Sequence, residues 1–149
     1  VLIHQLDALR GLLGPLKVEH CALGKVNPAL AGEDIALATL SGPDGLTCLL
    51  DGNISAPGYT PLPVDRLEIT GTKATLVFDR DRLWLEGRPD TLVSFDLVKN
   101  YQVCFSAAVA DFVHGLRTGA PFGTDRLDNI ETLALMEACY VAAGRAVDR

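Results

Sequence analysis

The run Leu67-Glu68-Ile69-Thr70-Gly71-Thr72-Lys73-Ala74-Thr75-Leu76-Val77-Phe78-Asp79-Arg80-Asp81-Arg82-Leu83-Trp84-Leu85 reads as three short strands broken at turn residues. Successive side chains of a strand point to opposite faces. Leu67, Ile69, Leu76, Phe78, Leu83 and Leu85 therefore belong to one register, and Val77 and Trp84 to the other. Asp79-Arg80-Asp81 is a hairpin signal, because Asp bonds its own backbone in tight turns, and it implies antiparallel neighbours.

The same pattern extends upstream and downstream. Segments of five to ten residues, punctuated by Gly, Pro, Asn and Asp, give candidate strands at 16–25, 34–41, 45–54, 65–70, 73–79, 82–86 and 90–97. Gly42-Pro43-Asp44-Gly45 is a second hairpin turn. Ser55 to Pro63 carries three prolines, whose fixed φ and missing N–H exclude a central strand, and it reads as an irregular loop open to a functional role.

The ends of the chain are helical in period. Ile3, Leu6, Leu9 and Leu13 recur at helix spacing and stop at Gly14-Pro15, giving a helix over roughly residues 2 to 13. Phe105, Val109, Phe112 and Leu116 mark a long helix ending at Gly119. Thr124 or Asp125 caps a last one carrying Ile130, Leu133, Ala134, Met136 and Val141. Strands segregated from helices indicate an α+β fold, a large and mostly antiparallel sheet with helices on one face. A second apolar face exposed to water is an interface signal, so a homo-oligomer through the open sheet is expected.

Bulk properties narrow the function. A chain of 149 residues with 48% hydrophobic content buries one substantial core, so residues 1–149 are read as one domain. Thirteen Lys+Arg against 19 Asp+Glu, without a basic run, argue against a nucleic-acid partner. No apolar stretch approaches the roughly 20 residues needed to cross a bilayer, and no signal peptide is apparent, so the reading is soluble and cytoplasmic, with no membrane partner. Cys21, Cys48, Cys104 and Cys139 are widely spaced in apolar runs and are expected as buried free thiols. His4, His20 and His114 lack i, i+4 spacing, and no metal is expected. The sequence holds no Gly-x-Gly-x-x-Gly and no phosphate-binding loop. Met136 is the sole methionine, and Val1 is read as the cut end of a longer protein.

The chemistry-bearing pair is His4 and Asp7, i, i+3 on the first helix, where both side chains fall on one face. Imidazole has the unperturbed pKa nearest neutrality, and a neighbouring carboxylate fixes its tautomer or holds a substrate hydroxyl. The bland alternative is a solvated helix face or a local cap. Arg10 competes directly, being i, i+3 from Asp7 and able to form a surface salt bridge worth about 0–1 kcal/mol. Further pocket candidates are Tyr59 in the proline-rich loop, and Lys99, Asn100 and Tyr101 before the long helix, each with an ordinary loop or capping role as its alternative.

Taken in order, His4-Gln5-Leu6-Asp7 with Leu9-Arg10-Gly11-Leu12-Leu13-Gly14, then Leu67 to Leu76, Phe105, Asp111-Phe112, Leu116-Arg117-Thr118-Gly119-Ala120-Pro121, Thr124, Leu135, Glu137-Ala138, Tyr140 and Gly144-Arg145 form a specific series. The chain resembles, over nearly its whole length, the C-terminal domain of the Gfo/Idh/MocA family of NAD(P)-dependent oxidoreductases. In that family a Rossmann domain binds the nicotinamide cofactor, and an α+β domain builds dimers or tetramers through its sheet. The resemblance implies that this chain is the substrate-binding and oligomerisation half, without the N-terminal Rossmann domain. The family stretch Asp-x-Gly-x-His-x-x-Asp places its histidine and second aspartate on His4 and Asp7. Leu2 stands where the glycine would be, and the first aspartate would precede Val1.

By that resemblance His4 is the catalytic acid/base, and Asp7 orients it or binds a substrate hydroxyl, with Tyr59, Asn100 and Tyr101 as further substrate-binding candidates. It implies an enzyme acting on a polyol, sugar or related hydroxy compound with NAD or NADP bound by the other domain. The 149 residues alone are expected to be inactive and to bind no cofactor. The alternatives are a non-catalytic ligand-binding or assembly domain of the same fold, and cleavage of a glycosidic bond with nicotinamide as transient oxidant.

Overall fold

The computed structural model describes residues 2–59, 64–123 and 125–145. In chain order the elements are α1 (Ile3–Leu13), β1 (Lys17–Gly24), β2 (Ile35–Ser41), a 3-10 turn (Pro43–Gly45), β3 (Thr47–Asn53), β4 (Arg66–Thr70), β5 (Thr75–Asp79), β6 (Arg82–Leu85), β7 (Arg88–Ser94), α2 (Leu97–Thr118) and α3 (Arg126–Ala142). The α+β class holds. Among the described residues the strands form antiparallel ladders in the orders β1-β2-β3 and β4-β5-β6-β7. The chain falls into two compact units, Val1–Gly58 with Gly123–Arg149, and Tyr59–Phe122.

In the first unit β2 is the central strand, and its side chains alternate: Ala36, Ala38 and Leu40 are buried while Leu37 is exposed. Cys21 pairs with Ala38 across the ladder and shares their face. Helix α3 packs on β1 and α1 packs on α3, which encloses Leu6, Leu9, Cys21, Leu135 and Cys139. The opposite face of the sheet is open, with a shallow groove of about 320 Å³ lined by residues including His20, Leu37, Thr39, Leu49 and Asp51. Leu49 is 81% exposed there.

Residues 25–34, which join β1 to β2, are organised by Asp34. Its buried carboxylate accepts from the backbone N–H of Val26 at 2.9 Å and of Asn27 at 2.7 Å, and from the Ser55 hydroxyl at 2.7 Å. Burial alone would raise the Asp34 pKa; these donors outweigh it and hold the carboxyl below its ordinary value.

The second unit is a meander. Leu67 pairs with Phe78, Ile69 with Leu76, Leu76 with Leu85, Phe78 with Leu83 and Val77 with Trp84, the two registers expected from the sequence. The β5–β6 turn places Arg80 at φ 59°, so a non-glycine residue takes the left-handed position there. Helix α2 starts earlier than its apolar spacing suggested, because Asp96 caps it by accepting from the Lys99 N–H at 3.0 Å. Lys99, Asn100 and Tyr101, expected before the helix, are therefore in its first two turns. It ends at Gly119, left-handed at φ 74°. Just before this end Gly115 lies so close to the chain that follows that a Cβ would sit 2.8 Å from Phe122 Cδ1 and 3.0 Å from the Ala120 carbonyl. Val98, Phe105, Val109, Phe112 and Leu116 on α2 are exposed.

Candidate active site

Helix α1 carries the His-x-x-Asp pair because its apolar residues face the other way. Leu6 and Leu9 are buried, which turns His4, Ala8 and Gly11 outward. His4 is exposed, and among the described residues its ring makes no hydrogen bond, so it is accessible to a ligand. Asp7 lies one turn on, at the border between the packed and open sides of the helix.

Asp7 is engaged from helix α3. The Thr132 hydroxyl donates to Asp7 Oδ1 at 2.6 Å. Arg10 Nη1 donates to Thr132 Oγ1 at 2.6 Å and to the Asp128 carbonyl at 3.3 Å, while Nη2 donates to Asp128 Oδ1 at 3.0 Å. The rival Arg10–Asp7 ion pair is present at 3.6 Å, without being the guanidinium's closest contact. Arg10 serves mainly to join α1 to α3. Thr132 and Asp128 were not foreseen, since nothing local in residues 126–142 pairs them with residues 3–13.

The remaining candidates lie in the second unit, whose first residue, Tyr59, is exposed. Asn100 is half-buried on α2, and Tyr101 is exposed with its ring 4.8 Å from that of Phe105. The described residues provide no bond between any of these three and another polar side chain. Thr124 lies outside the described residues, and Asp125 caps α3 by accepting from the N–H groups of Leu127 and Asp128.

All four cysteines are free. Cys21 and Cys139 are buried and Cys48 is half-buried, but Cys104 is exposed on α2, contrary to the expected burial, because that face of the helix is uncovered.

Neither α2 nor α3 starts as a dinucleotide site would. Such a site needs free N–H groups at a helix N-terminus after a glycine-rich turn from a strand. The one strand-to-helix step among the described residues, β7 to α2, runs through Phe95-Asp96, and the Asp96 carboxylate occupies the N-cap. Asp125 does the same at α3. The carboxylates at the starts of α2 and α3 repel a phosphate.

An antiparallel α+β domain headed by a His-x-x-Asp helix defines the class. Residues 1–77, more than half of the chain, match the family model for the GFO/IDH/MocA C-terminal domain, and the chain belongs to the GFO/IDH/MocA family. It is 30% identical over 161 aligned positions to a D-apiose dehydrogenase of Rhizobium rhizogenes, covering 98% of this chain and 46% of that protein. It is 32% identical over 160 positions to the D-apiose dehydrogenase of Paraburkholderia graminis, covering 98% and 43%. The chain thus spans just under half the length of these curated relatives. The crystal structure of an oxidoreductase from Agrobacterium radiobacter, in complex with NAD+, L-tartaric acid and magnesium, superposes with a TM-score of 0.81 at 30% identity, over 98% of this chain and 47% of that one. No described helix is long and apolar enough to cross a membrane.

Proposed function

We propose that this domain is the substrate-binding and assembly half of an oxidoreductase that acts on a polyol, sugar or related hydroxy compound. The observation that carries the reading is its likeness to two D-apiose dehydrogenases over 98% of the chain, with an accessible His4 at the head of α1. His4 exchanges a proton with the substrate hydroxyl at the reacting carbon, and Asp7 accepts a hydrogen bond from a hydroxyl of the same substrate. Tyr59, Asn100 and Tyr101 are proposed as further substrate contacts. Hydride exchange belongs to NAD or NADP held outside these residues, in the protein's own Rossmann domain.

The exposed Leu37 and Leu49 on the first sheet, and Leu92 and Val93 on the second, support assembly into a homo-oligomer through sheet faces. Light scattering tests this, and a monomer at high concentration refutes it. Four free cysteines support a reducing compartment, the cytoplasm.

In a second reading, a non-catalytic ligand-binding or assembly domain, Asp7 serves only to join α1 to α3 through Thr132. His4→Ala in the full-length protein separates the two. The catalytic reading expects turnover to fall by about 10²–10⁴ with the melting temperature unchanged. Unchanged turnover leaves the second reading standing.

A further inference from the structure

The network behind Asp7 has a fixed direction. Arg10 has donors only, so at 2.6 Å the Thr132 oxygen must accept from it. A hydroxyl has one proton, and that proton then points to Asp7 Oδ1, also at 2.6 Å. Asp128 Oδ1 accepts from the other arm of the guanidinium at 3.0 Å, while Nη1 lies 3.6 Å from Asp7 Oδ1, farther than from Thr132. The inner end of this chain is shielded from water, with Thr132 3% exposed and the Arg10 side chain 16% exposed. The Asp7 side chain, at its other end, is 47% exposed, and among the described residues Oδ2 makes no bond.

We infer that Thr132 is a positioning residue for Asp7: its hydroxyl, oriented by Arg10 and Asp128, pins Oδ1 so that Oδ2 faces a substrate hydroxyl. The inference rests on the proposed substrate-binding role of Asp7. A structural clasp between α1 and α3 needs only the Arg10 bonds to Asp128 and Thr132. The further bond from Thr132 to a half-exposed carboxylate adds orientation of that carboxylate.

The test uses the full-length protein with Thr132→Val, which removes the hydroxyl at nearly constant shape, Thr132→Ser, which restores it, and Asp7→Asn. The Asp7 side-chain carboxyl carbon, observed by NMR with 13C-labelled aspartate and assigned by its loss in Asp7→Asn, should shift in Thr132→Val and return in Thr132→Ser. Steady-state kinetics with D-apiose and NAD+ should give a KM about 10-fold higher in Thr132→Val, a kcat within about 3-fold, and recovery in Thr132→Ser. An unmoved Asp7 resonance overturns the inference whatever the kinetics. A raised KM in Asp7→Asn with an unchanged one in Thr132→Val overturns it while sparing the substrate role of Asp7. An unchanged KM in Asp7→Asn overturns that role and the inference with it.

Discussion

The Tyr140 phenol on α3 donates to Glu33 Oε1 at 2.6 Å, tying the last helix to the segment between β1 and β2. Arg145 lies 3.8 Å from the other carboxylate oxygen. Burial by itself would raise the Glu33 pKa, and the Tyr140 hydroxyl leads the contributions that outweigh it and lower it. The same bond, first, and burial, second, push the Tyr140 phenol up.

Acid should therefore loosen this unit. Glu33 and Asp34 both have folded pKa values below their ordinary ones, so the unfolded chain binds more protons as pH falls. Their stabilisation is fully present above the ordinary carboxylate range, about 4, and is lost as pH falls through the lowered values. Thermal melts by circular dichroism from about pH 6 to about pH 3 should show a falling melting temperature, with a shallower slope in Asp34→Asn. An equal slope in both proteins would remove Asp34 from the account.

Removing the Tyr140 hydroxyl alone should cost about 1–3 kcal/mol, because it leaves a nearly buried carboxylate short of a donor. Urea unfolding of Tyr140→Phe measures this.

Leu40 is fully buried on the central strand of the first sheet, and Leu40→Ala should cost about 2–5 kcal/mol. A loss below 1 kcal/mol in chemical unfolding, on the order of a surface change, would contradict that packing.

Thiol reactivity should rank by exposure. Cys104 is exposed, while burial first, then the neighbouring Cys21, pushes the Cys139 thiol up to about 11. An aromatic disulfide reagent should modify Cys104 fastest in the native protein, with Cys21 and Cys139 reacting only on unfolding. Rapid native labelling at Cys139 would refute the packing of α3 on β1.

With Asp96 and Asp125 capping α2 and α3, calorimetry of residues 1–149 with NAD(H) or NADP(H) should detect no micromolar binding. Such binding would overturn the assignment of the cofactor to another part of the protein.

Strand register was legible because it depends on alternation and turn chemistry a few residues apart. Leu67, Ile69, Leu76, Phe78, Leu83 and Leu85 pair as their spacing requires. The start of α2 was less so: Lys99, Asn100 and Gln102 are polar, and the signal was the Asp96 cap rather than the apolar period. His4 and Asp7 stood out by sequence, but the partner that holds Asp7 did not. Thr132 is 125 positions away, and many hydroxyls in the chain would have read equally well.

The sequence by itself determined where α1 and α2 stop, which strand residues share a face, and that His4 and Asp7 ride one side of α1. Tertiary structure alone decided that α3 rather than a neighbouring turn supplies the donor to Asp7, and that Arg10 bonds Asp128 and Thr132 more closely than Asp7. The physical reason is one of range: backbone period and turn geometry are set by adjacent residues, whereas a hydrogen bond between two helices exists only once packing has chosen which of their faces meet.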